Sequence, residues 1–210
     1  MSNFFMNINS NKIPLANWQQ RGLLEYLLVA HPDITVGRKI ELEKEYFSGM
    51  YEIPMAARTQ PHFTIANFMA SEAMEPTMGK WMQHIIGAQH SFSVTLDNYS
   101  GFPPHTIYLR VQDPAPFQQL AKQLKPVQDY IRDSDCPPVK FVTRPHLTIA
   151  RSLTENVYTK AMAAYAQKTF HESFMVEELV LLRRQHQFDK CKTIQVFKMR
   201  PAATDLFSLA

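Results

Sequence analysis

The chain has 210 residues, 45% of them apolar and 20% charged, with a net charge of +3. That is enough chain to bury the core of one large domain or of two small intimate lobes, and the balance is ordinary for a globular protein. It argues against a nucleic-acid coating protein, which carries a basic block, and against a membrane-spanning chain, because no apolar stretch reaches transmembrane length. Two cysteines, Cys136 and Cys191, make neither a disulfide framework nor a zinc site and predict reduced thiols. The first residues lack the charged start and apolar run of a secretory signal. The expectation is a cytoplasmic protein that needs no membrane.

Residues 1–22 are polar, Asn-rich and aperiodic and read as a flexible arm. Residues 26–30 form a short apolar run stopped by His31-Pro32-Asp33, which suits a buried strand. Val36, Ile40 and Phe47 recur at helical spacing among Lys and Glu, the pattern of a solvated helix with one apolar stripe. Residues 48–60, with Gly49 and Pro54, read as a loop. A strand follows to about Met69, and Glu75-Pro76 then opens a helix with Met78, Trp81, Met82, Ile85 and Ile86 inward. Residues 92–96 and 106–111 read as a hairpin around a turn at 98–104. Asp113-Pro114 starts a long helix that Pro126 kinks, closed by Cys136-Pro137-Pro138. After another strand, residues 157–170 form a helix. Residues 174–182 and 193–197 then form a second hairpin, and a tail follows over 201–210.

One phrase occurs twice. Residues 61–66 read Pro-His-Phe-Thr-Ile-Ala and residues 145–150 read Pro-His-Leu-Thr-Ile-Ala. An apolar residue separates His from Thr in each, so on a strand His62 and Thr64, or His146 and Thr148, share one face. Each phrase reads as the opening of a strand–helix–strand–strand unit. Ser91-Phe92 and Ser173-Phe174 follow the two histidines at nearly equal distances, and Thr106-Ile107 and Thr193-Ile194 take matching places. A duplicated unit packs about a pseudo-twofold axis, which predicts one cleft holding both copies.

The pair carries a definite chemistry. Imidazole titrates near pH 6.5, so one ring can act as base while the other acts as acid. Attack on a phosphodiester needs both, because water loses a proton and the leaving oxygen gains one. The hydroxyls of Thr64 and Thr148 can donate to the non-bridging oxygens, where charge builds in the transition state. Acid, base and anion donors are then all protein groups, and no metal or other cofactor is called for. Two histidines on separate strands, without nearby carboxylates, are an incomplete ligand set for a metal hydrolase.

With its two His-x-Thr-x motifs, His62-Phe63-Thr64-Ile65 and His146-Leu147-Thr148-Ile149, the chain resembles the 2H phosphoesterase superfamily. Within it, the closer likeness is to the 2'-5' RNA ligase-like, 2',3'-cyclic phosphodiesterase branch. The likeness runs from Tyr26 to Met199 and takes in Ala30-His31-Pro32, the Gly101-Phe102-Pro103 turn and the Pro145-His146 lead-in. It implies an α+β fold: a single bilobal, pseudo-twofold domain over residues 23–200, with two antiparallel sheets and flanking helices around a central cleft. It also implies metal-independent opening of cyclic phosphates on RNA ends or small nucleotides by a monomer. In some members the reverse reaction joins RNA ends through a 2'-5' linkage. The branch carries over His62 as acid to the leaving oxygen and His146 as base for water.

Two further positions follow from that resemblance. Related proteins place an arginine on the phosphate five residues after the second histidine, here Arg151. They often place a base-stacking aromatic five residues after the first, where this chain has Asn67, with Phe68 next. Both are candidate substrate contacts. The other histidines, His31, His84, His90, His105, His171 and His186, form no constellation, and Arg183-Arg184 and Lys190-Lys192 read as a solvated hairpin. No phosphate-cradling glycine loop and no lysine-centred motif of ATP-dependent ligases is present. A binding module that holds a nucleotide or RNA end in the same cleft without turnover is the alternative reading.

Overall fold

The computed structural model describes residues 22–185 and 189–202. Most of the expected arm, His186 and most of the expected C-terminal tail lie outside the described residues. Among the described residues, nine strands form one antiparallel sheet: β1 (Leu23–Ala30), β2 (Phe63–Ser71), β3 (Phe92–Phe102), β4 (Thr106–Val111), β5 (Lys140–Phe141), β6 (His146–Ala150), β7 (His171–Val176), β8 (Glu178–Arg184) and β9 (Lys192–Lys198). Their order is β7-β3-β4-β6-β2-β1-β8-β9, with β5 paired to β2. The two expected sheets are thus the two halves of one curled sheet, joined where β6 meets β2. No helix among the described residues is long and apolar enough to cross a membrane.

The α-helices flanking the sheet are α1 (Ile34–Tyr51), α2 (Pro54–Arg58), α3 (Glu75–Gly87), α4 (Ala115–Gln123), α5 (Lys125–Asp133) and α6 (Glu155–Tyr165). Their starts obey ordinary rules. The Asp33 carboxylate accepts from the Val36 N–H at 2.8 Å and caps α1. The Thr154 hydroxyl accepts from the Val157 N–H and caps α6. Proline stands in the first turn of α3, α4 and α5, where its missing N–H costs nothing.

Several expectations are corrected. Residues 48–60 are not a loop: α1 runs through Gly49 and stops when Glu52 turns left-handed, and α2 follows. The long helix expected after Asp113 is two helices meeting at Leu124, because Pro126 begins a new first turn rather than kinking an old one. The hairpin turn is narrower than expected, since β3 continues to Phe102 and absorbs the left-handed Asn98 in a register shift. The last helix stops at Tyr165 rather than 170. The run 174–182 is broken at Glu177. Its first part joins β3 and its second part joins β1 and β9.

That break changes the symmetry. Ser93 pairs with Met175 and Thr95 with Ser173, so the two segments expected to be equivalent are neighbours in one half. The equivalent pieces are β1–α1–β2 and β4–α4–α5–β6, each ending in the motif strand. The connecting helices also cross over. Helix α1 leaves the half containing β1 to pack on β6 and β7, while α4 leaves the other half to pack on β2. The core lies beneath these helices. Phe63 sits there against Phe117 of α4 and against Phe174, with ring centroids 5.7 and 5.8 Å apart, and Leu147, Ile40 and Phe47 are fully buried.

Phe68 belongs to that core. It is 2% exposed and stacks on Tyr26 at 5.3 Å and 8°. It therefore cannot meet a substrate, contrary to expectation. Replacing Phe68 by Ala should lower the unfolding free energy by about 3–5 kcal/mol in urea denaturation; a change below about 1 kcal/mol would place the ring outside the core.

Candidate active site

The motif strands lie side by side. Phe63 of β2 pairs with Leu147 of β6, antiparallel. Continuing that register one residue each way sets His62 across from Thr148 and Thr64 across from His146. All four side chains are half-buried, while Phe63, Ile65, Leu147 and Ile149 are buried on the opposite face beneath the helices. The sequence alternation thus becomes a quartet of two imidazoles and two hydroxyls on one face of adjoining strands.

The remainder of the repeated phrase has its own job. Against β1, Thr64 pairs with Val29 but Ala66 pairs with Leu28, so Ile65 is an extra residue. Against β4, Thr148 pairs with Tyr108 but Ala150 pairs with Ile107, so Ile149 is an extra residue. Both motif strands carry a one-residue bulge at the isoleucine after the threonine. An odd step from His62 to Asn67, or from His146 to Arg151, would reach the opposite face of a regular strand. The bulge turns both side chains back toward the His/Thr face and sends Phe68 inward.

Asn67 and Arg151 occupy equivalent places with different surroundings. Asn67 Nδ2 donates to Glu25 Oε1 at 2.6 Å, and Glu25 Oε2 accepts from Arg184 Nε at 2.6 Å. Burial pushes the Glu25 carboxyl up, but the Arg184 and Asn67 hydrogen bonds and the charges of Arg184 and Arg151 bring it below its ordinary value. Arg151 is exposed, and its field reaches Glu25, Lys44 and His62. A residue that follows the second motif therefore acts on the first.

Each catalytic candidate is held in the same way. His62 Nδ1 lies 2.8 Å from the Gln60 carbonyl, and His146 Nδ1 lies 2.9 Å from the Arg144 carbonyl. A carbonyl only accepts, so Nδ1 carries the proton in both rings and Nε2 is left to exchange one. The neighbours differ. His146 touches two aromatic rings, Phe102 and Tyr108, both at 5.0 Å. His62 faces the ring of His31 at 6.3 Å, and His31 Nδ1 donates to the Pro61 carbonyl at 2.8 Å.

Sequence reasoning misses three of these groups. His31 falls among the unassigned histidines, yet it stands beside His62. Tyr108 reads only as a strand residue. Lys44 is hidden in the polar pattern of α1, but it is 3% exposed. Its Nζ donates to the Thr59 hydroxyl at 2.8 Å and to the Thr59 carbonyl, tying α1 to the segment that leads into His62. A lone lysine among the apolar positions Val36, Ile40 and Phe47 is the available signal. Burial, with Arg151 adding its charge and Glu41 opposing, lowers Lys44 to about 8. Among the described residues no three His, Cys, Asp or Glu side chains group to hold a metal ion. A shallow depression bounded by Asp33, Ser93, Ser173, Phe174, Met175 and Glu177 shares no residue with either motif.

Burial also pushes the His62 imidazole below its ordinary value. His31, Lys44 and Arg151 act in the same direction and the Gln60 hydrogen bond opposes them. Removing a nearby positive charge makes the imidazolium less costly, so His62 should titrate higher in Lys44→Gln and in Arg151→Gln than in the parent protein. Carbon-proton NMR of the His62 ring across pH 4–9 measures this; a parent value above 6.5, or a downward move in both variants, would contradict the described field.

A family model for the 2'-5' RNA ligase superfamily matches residues 34–187. No curated protein sequence matches significantly. Among solved structures, E. coli LigT complexed with 3'-AMP superposes with a TM-score of 0.60 at 18% identity, over 84% of this chain and 98% of that one. The TT0787 protein of Thermus thermophilus gives 0.61 at 15% identity, and a crystal structure described as a phosphoesterase gives 0.60 at 17%, each over 84% of this chain and 98% of the other. These identities speak for the fold alone. The family match spans well over half of the chain, both His-x-Thr motifs included: this protein belongs to the 2'-5' RNA ligase superfamily.

Proposed function

We propose that the protein is a metal-independent phosphoesterase that opens 2',3'-cyclic phosphates of RNA ends or small nucleotides, with His62 and His146 as the acid–base pair. The observation that carries this reading is the quartet on β2 and β6, in which each histidine stands across from the other motif's threonine. A cyclic phosphate set over that quartet has an imidazole on either flank. One ring takes the proton from water as its oxygen bonds to phosphorus. The other gives a proton to the ribose oxygen as the second P–O bond breaks, leaving a ribose monophosphate. Thr64 and Thr148 donate to the non-bridging oxygens, Arg151 adds positive charge, and Asn67 contacts the substrate from the first motif's side. With an RNA 5'-hydroxyl in place of water as the nucleophile, the same transfers in the same direction form a 2'-5' linkage: the 5'-oxygen loses its proton and bonds to phosphorus while the 3'-oxygen leaves and gains one. The crystallised complexes of E. coli LigT with 3'-AMP, NADP+ and ATP support a nucleotide phosphate as occupant.

The environment of His62 sets a condition on its role. In the free protein its neutral form is favoured, which suits a base. The acid role carried over from the family then requires the bound phosphate, whose negative charge favours the imidazolium. The group that must be protonated controls the alkaline limb of the rate profile. That limb reflects free enzyme in kcat/KM and the substrate complex in kcat. If His62 is the acid, the alkaline limb lies at higher pH in kcat than in kcat/KM.

Hydrolysis of 2',3'-cyclic AMP, and of RNA ending in a cyclic phosphate, should proceed with EDTA present and follow a bell-shaped pH profile. His62→Ala and His146→Ala should each lose roughly a hundred- to ten-thousand-fold in kcat. Undiminished turnover by either variant, or a flat profile between pH 5 and 8, would sink the assignment.

A further inference from the structure

The two flanks of the quartet are unlike, and the difference assigns the nucleoside to one of them. On the second flank, Tyr108 pairs with Thr148 across β4 and β6 and so shares the face of His146. Phe102 reaches the same face from β3. It pairs with Thr106, two residues before Tyr108, and its ring lies 4.4 Å from that of Tyr108. Phe102 meets His146 edge-on at 82°, and the side chain remains 39% exposed. Two aromatic rings thus adjoin a phosphate-handling imidazole, and one of them keeps open surface.

Among the described residues, the first flank has no counterpart to that pair of rings. Its register places Val29 where the second half has Tyr108, and Leu182 where it has Phe102. The residue after its bulge is Asn67, engaged with Glu25, and the aromatic beyond it, Phe68, is locked on Tyr26. A ribose carrying a cyclic phosphate holds its base one sugar away from phosphorus, so a base that contacts the protein lies on one flank or the other.

We propose that Phe102 and Tyr108 form a stacking platform for the substrate's base, which seats the nucleoside on the His146 side of the cleft. This inference rests on the phosphate site described under Proposed function. Stacking uses the π-face that every base has and does not read hydrogen-bonding edges, so the platform favours a base without selecting among the four. The platform also has a built-in support. A Cβ on Gly101 would come within 2.3 Å of the Tyr158 hydroxyl of α6, so the glycine before Phe102 lets the Tyr158 ring lie against β3, and a larger residue there would displace that ring. The His105 ring nitrogen lies 3.1 Å from the Leu153 carbonyl, and the His105 carbonyl accepts from the Leu153 N–H at 3.1 Å, which fixes the turn just beyond.

A platform for the base and a mere support for His146 differ in a binding ratio. Calorimetric titration of the full chain with 3'-AMP and with ribose 3-phosphate, which lacks the base, gives a preference for the base-bearing ligand. That preference should fall roughly five- to a hundredfold in Phe102→Leu and in Tyr108→Leu, as loss of one base stack predicts. It should be similar for 3'-AMP, 3'-CMP, 3'-GMP and 3'-UMP in the parent. Equal affinity of the parent for 3'-AMP and ribose 3-phosphate, or an unchanged ratio in both variants, overturns the platform while leaving the phosphate site intact. Failure of the parent to bind either ligand overturns both.

Discussion

One antiparallel contact, Phe63 against Leu147, joins the halves of the sheet, and the rest of the site follows from it. The contact is apolar and faces the helices. It puts the next residues on either side, His62 with Thr148 and Thr64 with His146, on the open face. A slip of one residue would send the polar quartet into the core and the aromatic side chains into water. The register is therefore held by the same burial that stabilises the fold. The crossing helices add to this. Each half is roofed in part by the helix that belongs to the other, so the halves cannot separate without exposing Phe63, Phe117 and Phe174.

The bulges extend that constraint to the fifth residue after each histidine. Alternation alone brings two side chains per motif to the cleft face; the extra isoleucine brings a third. Because the third is Arg151 on one strand and Asn67 on the other, the same backbone device delivers a cation on one side and an amide bound to a carboxylate on the other. Lys44 adds a buried positive group behind His62, compensated by the Thr59 carbonyl and hydroxyl rather than by an acid. With the charges of Lys44 and Arg151 both reaching the His62 imidazole, that side of the cleft is biased toward an anion before any ligand arrives.

Much of this was legible in the chain. The His-x-Thr alternation, the proline-led helix starts and the hairpin at β3 and β4 are local patterns, and local physics realises them. What was not legible depends on partners distant in sequence. The continuous run 174–182 has no glycine or proline to mark its break. It breaks at Glu177 because its two parts pair with strands of different halves. Phe68 looked available because nothing local says that Tyr26 will stack on it. A one-residue bulge reverses the face of everything after it, and neither isoleucine announces one. His31 and Lys44 are single polar residues whose meaning comes from the segment 59–61 folding back between them.

The repeated phrase implies two equal halves, and the backbone keeps that equality down to the bulge. The side chains do not. Around His62 stand a histidine, a buried lysine and, from the other strand, Arg151; around His146 stand two aromatic rings. Two identical histidines in identical surroundings would share a proton without direction. Positive charge and burial lower the proton affinity of the His62 ring below its ordinary value, while the His146 ring meets aromatic surface instead. The symmetric backbone sets each histidine across from the other motif's threonine, and the asymmetric side chains make the two flanks of the quartet chemically unlike, so the repeat fixes position while its neighbours fix character.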